Sequence, residues 1–203
     1  MKIFSTAYFP PVQYFSQIVN SEKIIIEKYE NYSKQSYRNR CEILSPNGKQ
    51  TLSIPVIKKS GQKQLIKDVK IDYKTDWQSI CLKSLKTAYL SSPFFEFYID
   101  ALMPFFEKRF TFLFDYNFEI LQIILSELQI EKEIQFTEKY IKEYPFPDFR
   151  NSIHPKKKFQ TADTNFPTRK YTQVFFDKYE FIPNLSILDL LFNEGPNTES
   201  FLI

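Results

Sequence analysis

The 203-residue chain has only three glycines, Gly48, Gly61 and Gly195, where average usage near 7% would give about 14. It has one histidine, His154, and two cysteines, Cys41 and Cys81. These shortages exclude the commonest site recipes. No glycine pair has the spacing of a phosphate loop ahead of Lys-Ser/Thr, and a G-x-G-x-x-G dinucleotide fingerprint is impossible. One histidine rules out a multi-histidine zinc centre, and two cysteines rule out a four-cysteine one. The G-x-S-x-G nucleophile elbow is missing as well. Apolar runs are only a few residues long, so the sequence predicts no membrane span. Residues 1–7 are too short for a secretion-signal core and soon meet Pro10-Pro11. Two apparently unpaired cysteines suit a reducing compartment, which makes the cytoplasm the expected location.

What the chain has in quantity is aromatic. Phe, Tyr and Trp make up 18% of residues, with 22 Phe and 13 Tyr, enough to fill a sizeable core with few side chains. Charge is segregated. Residues 34–86 carry 12 basic and 4 acidic groups, while residues 87–150 carry 6 basic and 11 acidic. A net charge of +3 therefore hides a basic segment and an acidic one. They either compensate each other at the surface or leave the 34–86 segment as an anion-binding face.

The length predicts a single domain over 1–203, with proline-rich, basic residues 145–170 as an irregular arm or loop. The pattern reads as α/β: a small, mostly parallel sheet that starts β-α-β, with an attached antiparallel hairpin and covering helices. A strand is expected over 3–8, a helix over 11–19 and a strand over 23–27, where Ile24-Ile25-Ile26 is β-branched. Asn47-Gly48 predicts a hairpin between strands at 40–44 and 50–57, with both residues central to the turn. A short strand is expected at 67–71. Helices follow, one from the N-cap Asp76, one over 94–102 with Pro104 as kink or break, and one around 118–128. Further strands are expected at 133–137 and 171–176. A last helix over 185–192 is closed by Gly195 and Pro196.

Three stretches stand out as candidate chemistry. Lys34-Gln35-Ser36-Tyr37-Arg38-Asn39-Arg40 combines forked guanidinium groups suited to phosphate with an orienting amide and an aromatic that can stack on a base or sugar. The alternative is an edge strand carrying charges against aggregation. His154, followed by Pro155-Lys156-Lys157-Lys158, is the acid–base candidate, and Lys156 and Lys157 are candidate anion ligands. The alternative is a solvated basic loop. Tyr8-Phe9-Pro10-Pro11-Val12-Gln13-Tyr14 turns a strand end into a helix N-terminus, which can receive a phosphate or carboxylate near Tyr8 and Tyr14. Asp68, Asp72 and Asp76 recur every four residues, a spacing that can hold Mg²⁺ but that helix capping and solvation explain more often, and nothing names a cofactor. A pI near 8.6 makes nucleic acid an improbable partner.

Taken in order along nearly the whole chain, Ala7-Tyr8-Phe9-Pro10, Ser36-Tyr37-Arg38-Asn39-Arg40, Leu52-Ser53-Ile54-Pro55-Val56, Pro93-Phe94-Phe95, Tyr171-Thr172-Gln173-Val174-Phe175 and Pro183-Asn184-Leu185-Ser186-Ile187-Leu188-Asp189 resemble the WbqC-like family. Gln173 joins the candidate binding residues through that closing signature. The resemblance implies a component of O-antigen or other surface-glycan assembly. The expectation is a transferase acting on a nucleotide-activated sugar or its substituent. The alternative is a non-catalytic binding or scaffold protein for other enzymes of that pathway. The expected small-molecule partner is an anion such as a nucleotide sugar.

Overall fold

A computed structural model describes residues 1–57, 63–156, 166 and 169–203. Strand β1 (Lys2–Ser5), helix α1 (Val12–Val19) and strand β2 (Lys23–Glu27) follow in the expected order. β1 and β2 pair in parallel, from Lys2 opposite Ile24 to Ser5 opposite Glu27. Ile24 and Ile26 are buried on one face of β2 and Ile25 is half-buried on the other, so the three isoleucines run without polar alternation. Strand β5 (Glu133–Phe136) adds to the other side of β2, also in parallel, giving the order β1-β2-β5. The outer edge of β1 is closed by residues 147–149: Ile3 N donates to Pro147 O at 3.1 Å and Phe149 N to Ile3 O at 2.8 Å.

A separate antiparallel pair is formed by β3 (Arg40–Ser45) and β4 (Gly48–Ser53). Its turn differs from the expected one. Ser45 pairs with Gly48, so Pro46 and Asn47 are the central residues. Gly48 alone takes the left-handed backbone, at φ 97°. Pro46 decides this, because its fixed φ near −65° suits the first central position. β4 also stops at Ser53 and does not reach 57, since Pro55 has no N–H to offer a ladder.

The strand expected at 67–71 is not one. Ile66–Asp68 forms a 3-10 turn, and only Lys70 and Ile71 make single bridges, to Phe112 and Val56. Ile66 and Val69 are both fully buried, and a spacing of three is the repeat of that tight helix. The strand expected at 171–176 is also absent. There the Gln173 side chain takes the ladder's place: Ile182 N donates to its Oε1 and its Nε2 donates to Ile182 O, both at 2.9 Å.

Helices α2 (Trp77–Tyr89), α3 (Phe95–Glu107) and α4 (Leu113–Glu127) cover the sheets, and α5 (Ile187–Glu194) follows near the C-terminus. Asp76 caps α2 by accepting from Ser79 N. α3 runs through Pro104 without ending there. The proline lies in the last turn, and the carbonyl it leaves unpaired belongs to exposed Asp100, where water reaches it. The core between these layers is aromatic. Tyr8, Trp77, Phe105 and Tyr116 pack in tilted and edge-on pairs, with Trp77 5.8 Å and Phe105 5.7 Å from Tyr116.

Candidate functional site

In open α/β sheets ligands gather beyond the carboxyl ends of the strands. Here those ends are Ser5, Glu27 and the residues after Phe136, and a buried ionic network occupies the space around them. Arg38 grips Glu30 with two bonds, Nε to Oε1 at 2.7 Å and Nη2 to Oε2 at 2.5 Å. The same Nη2 donates to Ser5 Oγ at 2.6 Å, and Ser5 Oγ donates to Arg150 O at 2.9 Å. Arg150 Nη1 pairs with Glu27 Oε2 at 2.9 Å, while Thr137 Oγ1 donates to Glu27 Oε1 at 2.7 Å. Arg38, Glu30, Glu27 and Arg150 are all buried. Charges this deep persist only when paired and hydrogen-bonded.

The segment after Glu30 climbs from this network into an open cleft of about 610 Å³. Tyr32, Lys34, Gln35, Asn39 and Arg40 line one part, and residues 53–56 the other. Among the described residues the lining has two cations and no carboxylate. Asn39 Nδ2 donates to Ile54 O at 2.9 Å, which fixes the orientation of the amide. Asn39 Oδ1 and Arg40 Nε are both buried with no partner among the described residues. Leaving such a group unpaired costs about 1–3 kcal/mol. Burial raises the Tyr32 phenol pKa, and the nearby Arg40 and Arg38 charges oppose that rise.

Beside this cleft lies His154, buried and in the field of both arginines. Desolvation, then Arg38, Lys156 and Arg40, lower its pKa below 6.5, with a backbone hydrogen bond to Lys156 opposing part of the fall. The imidazole is therefore neutral at pH 7. Lys156 N donates to its Nδ1 at 3.0 Å, which leaves the ring proton on Nε2. In this state the ring is a hydrogen-bond donor, and it becomes a proton acceptor only once Nδ1 is released. The Lys156 ammonium reaches Gln35 on the cleft wall. Folding holds fewer protons on this ring than the unfolded chain does. Its contribution to stability is therefore complete above about pH 6.5 and is lost as pH falls through the lowered pKa. Urea midpoints followed from pH 7.5 to 5 should drop more steeply for the wild type than for His154→Gln. Parallel curves would contradict the shift.

The sequence candidates divide accordingly. Lys34, Asn39 and Arg40 share the cleft, with Lys156 and His154 next to it. Arg38 sits behind it, tied to Glu30. Tyr8, Tyr14 and Tyr37 are core residues: Tyr8 packs on Phe9, Tyr14 OH donates to Ser5 O at 2.9 Å, and the Tyr37 hydroxyl points to Glu42. Gln173 belongs to a different cleft. Lys157 lies outside the described residues. Both thiols are free and buried. Burial pushes Cys41 well up and Cys81 up to about 11, so neither is a thiolate at neutral pH. Among the described residues no three His, Cys, Asp or Glu side chains gather as a metal site, and no helix is long and apolar enough to cross a membrane.

The sequence pattern of the WbqC-like protein family matches residues 6–145 and 142–201. The chain belongs to that family. A relative in Mycobacterium tuberculosis (strain ATCC 25618 / H37Rv), the uncharacterized protein Rv1507c, is 28% identical over 226 aligned positions, which cover 98% of this chain and 96% of the relative. No solved structure matches. The segments that carry the resemblance have different structural duties in this WbqC-like chain. Ser36–Arg40 builds the cleft wall and its ionic support, whereas the closing signature surrounds Asp189.

That second polar centre escaped sequence reasoning. Asp189 on α5 is fully buried and accepts from Tyr89 OH at 2.8 Å, Tyr171 OH at 2.6 Å and Gln173 Nε2 at 2.9 Å. Burial raises its pKa, and the three donors offset part of that rise. An acid inside the apolar run Leu188-Asp189-Leu190-Leu191 was the available signal, because a buried carboxylate requires partners. The Glu27–Arg150 pair left no such mark, since its members are 123 residues apart.

Proposed function

We propose that this WbqC-like protein is a transferase-type enzyme of surface-polysaccharide assembly, acting on a nucleotide-activated sugar or its substituent. The ligand's phosphate lies in the cleft beside Lys34 and Arg40. The observation that carries this reading is the cleft lining, which among the described residues holds two cations and no carboxylate. Tyr32 offers a half-buried ring for a base or sugar. His154 is the acid–base candidate, with Lys156 holding it in place.

A thermal-shift screen against nucleotide sugars tests the assignment. At about a hundredfold excess over Kd, binding adds about 2.7 kcal/mol, or roughly 5–10 °C in Tm for a chain of this size. Arg40→Ala should remove most of that shift. No shift with any nucleotide sugar, or an equal shift in the variant, overturns the assignment.

The second reading is a non-catalytic binding or scaffold protein of the same pathway. The engaged Nδ1 of His154 and the two buried thiols favour it, because they leave no ready nucleophile or base among those residues. Binding without turnover, once a responding ligand is offered with candidate acceptors, would select it.

A further inference from the structure

A second cleft, of about 460 Å³, opens where the 170–181 segment packs over α5 and the β3–β4 turn. Tyr171, Phe176, Tyr179 and Phe181 supply its rings, and Lys170 and Glu180 supply one charge of each sign. Among the described residues neither charge is in an ion pair. Two of the rings are anchored through their hydroxyls. Tyr171 OH is tied to Asp189 at 2.6 Å, and its ring meets Phe181 edge-on at 5.2 Å. Tyr179 OH donates to Pro46 O at 2.9 Å. Phe176 stands 63% exposed beside them, although burying a ring is favourable.

The geometry points to this cleft as a binding site for an uncharged saccharide. Two anchored rings and the exposed Phe176 ring suit the apolar faces of pyranose rings. A carboxylate and an ammonium together suit hydroxyl groups, which accept and donate, and the balanced charge gives a phosphate no advantage. Walls already locked by Asp189 and Pro46 lose little freedom on binding. The inference is independent of the basic cleft, whose lining is cationic and has one aromatic residue.

The full-length chain is tested by saturation-transfer NMR with phosphate-free methyl glycosides of glucose, galactose, rhamnose and N-acetylglucosamine. At least one should receive saturation on its ring protons. Phe176→Ala should weaken that glycoside roughly two- to twelvefold with an unchanged Tm, because loss of one aromatic contact is worth about 0.5–1.5 kcal/mol. Glu180→Gln should weaken it less, and Arg40→Ala not at all. Failure of all four glycosides to bind, or binding indifferent to both Phe176→Ala and Glu180→Gln, overturns the proposal. So does binding lost in Arg40→Ala, which would place the sugar in the other cleft. Failure of nucleotide sugars to bind while a glycoside binds would count only against the phosphate site.

Discussion

Replacing Arg150 with alanine is expected to lower stability by about 3–5 kcal/mol, the usual cost of breaking a buried ion pair from one side. Its side chain is 2% exposed and faces Glu27, which is fully buried. Removing the guanidinium strands the Glu27 carboxylate among Thr137 Oγ1 and Tyr29 N, with no cation to replace the lost charge. The carbonyls of Ile141 and Lys142 lose their donors at 2.8 and 3.0 Å, and the rings of Tyr140 and Tyr144 lose a cation about 5 Å away. Arg150→Lys should recover only part of the loss, because an ammonium cannot serve Glu27, Asp148 and two carbonyls from one plane. Guanidinium denaturation of the three proteins decides the matter. A cost under about 1 kcal/mol for the alanine variant would mean that water replaces the arginine.

Gly195→Ala should be nearly as damaging, at about 3 kcal/mol or more. Gly195 ends α5 at φ 55°, where a β-carbon is strained. That carbon would also lie 2.5 Å from atoms of the Phe94 ring, well inside contact distance. The ring has little freedom to retreat, since Phe94 N is bonded to Phe192 O at 3.0 Å. Gly48→Ala is the natural control. Its φ of 97° is also unfavourable, but the nearest neighbours are Tyr179 ring atoms at 3.8 Å, an ordinary contact. The control should cost about 1 kcal/mol from the backbone alone. Thermal unfolding of both variants separates the two contributions, and equal losses would rule out the clash.

Much of the architecture was legible because local signals agreed with tertiary needs. Ile24-Ile25-Ile26 could be buried only inside a sheet, and Asp76 announced α2 three residues before the amide it caps. The failures came where a local signal had a rival within a few residues. Pro46 outweighed Asn47 in the hairpin turn. Ile66 and Val69 set a period of three over residues that looked extended. Gln173 replaced a strand ladder with its own amide. Within the site, the stretch Lys34–Arg40 offered Arg38 and Arg40 as two like guanidinium forks. The fold made them unlike, one clamped by Glu30 and the other set in a cleft.

The sequence by itself determined the negative boundaries and the raw materials. With three glycines and one histidine, a glycine phosphate loop and a multi-histidine metal centre were impossible whatever the fold. An excess of lysine and arginine at 34–86 supplied the side chains for an anion site. Which cations remained available was decided only in three dimensions, because the cost of burying charge forces some of them into pairs. Glu30 neutralised Arg38 and Glu27 took Arg150, across 8 and 123 residues of chain. Among the described residues, Arg40 and Lys34 were left without a carboxylate in their cleft. No reading along the chain could sort them, since the sorting depends on distance through space and on which groups water can no longer reach.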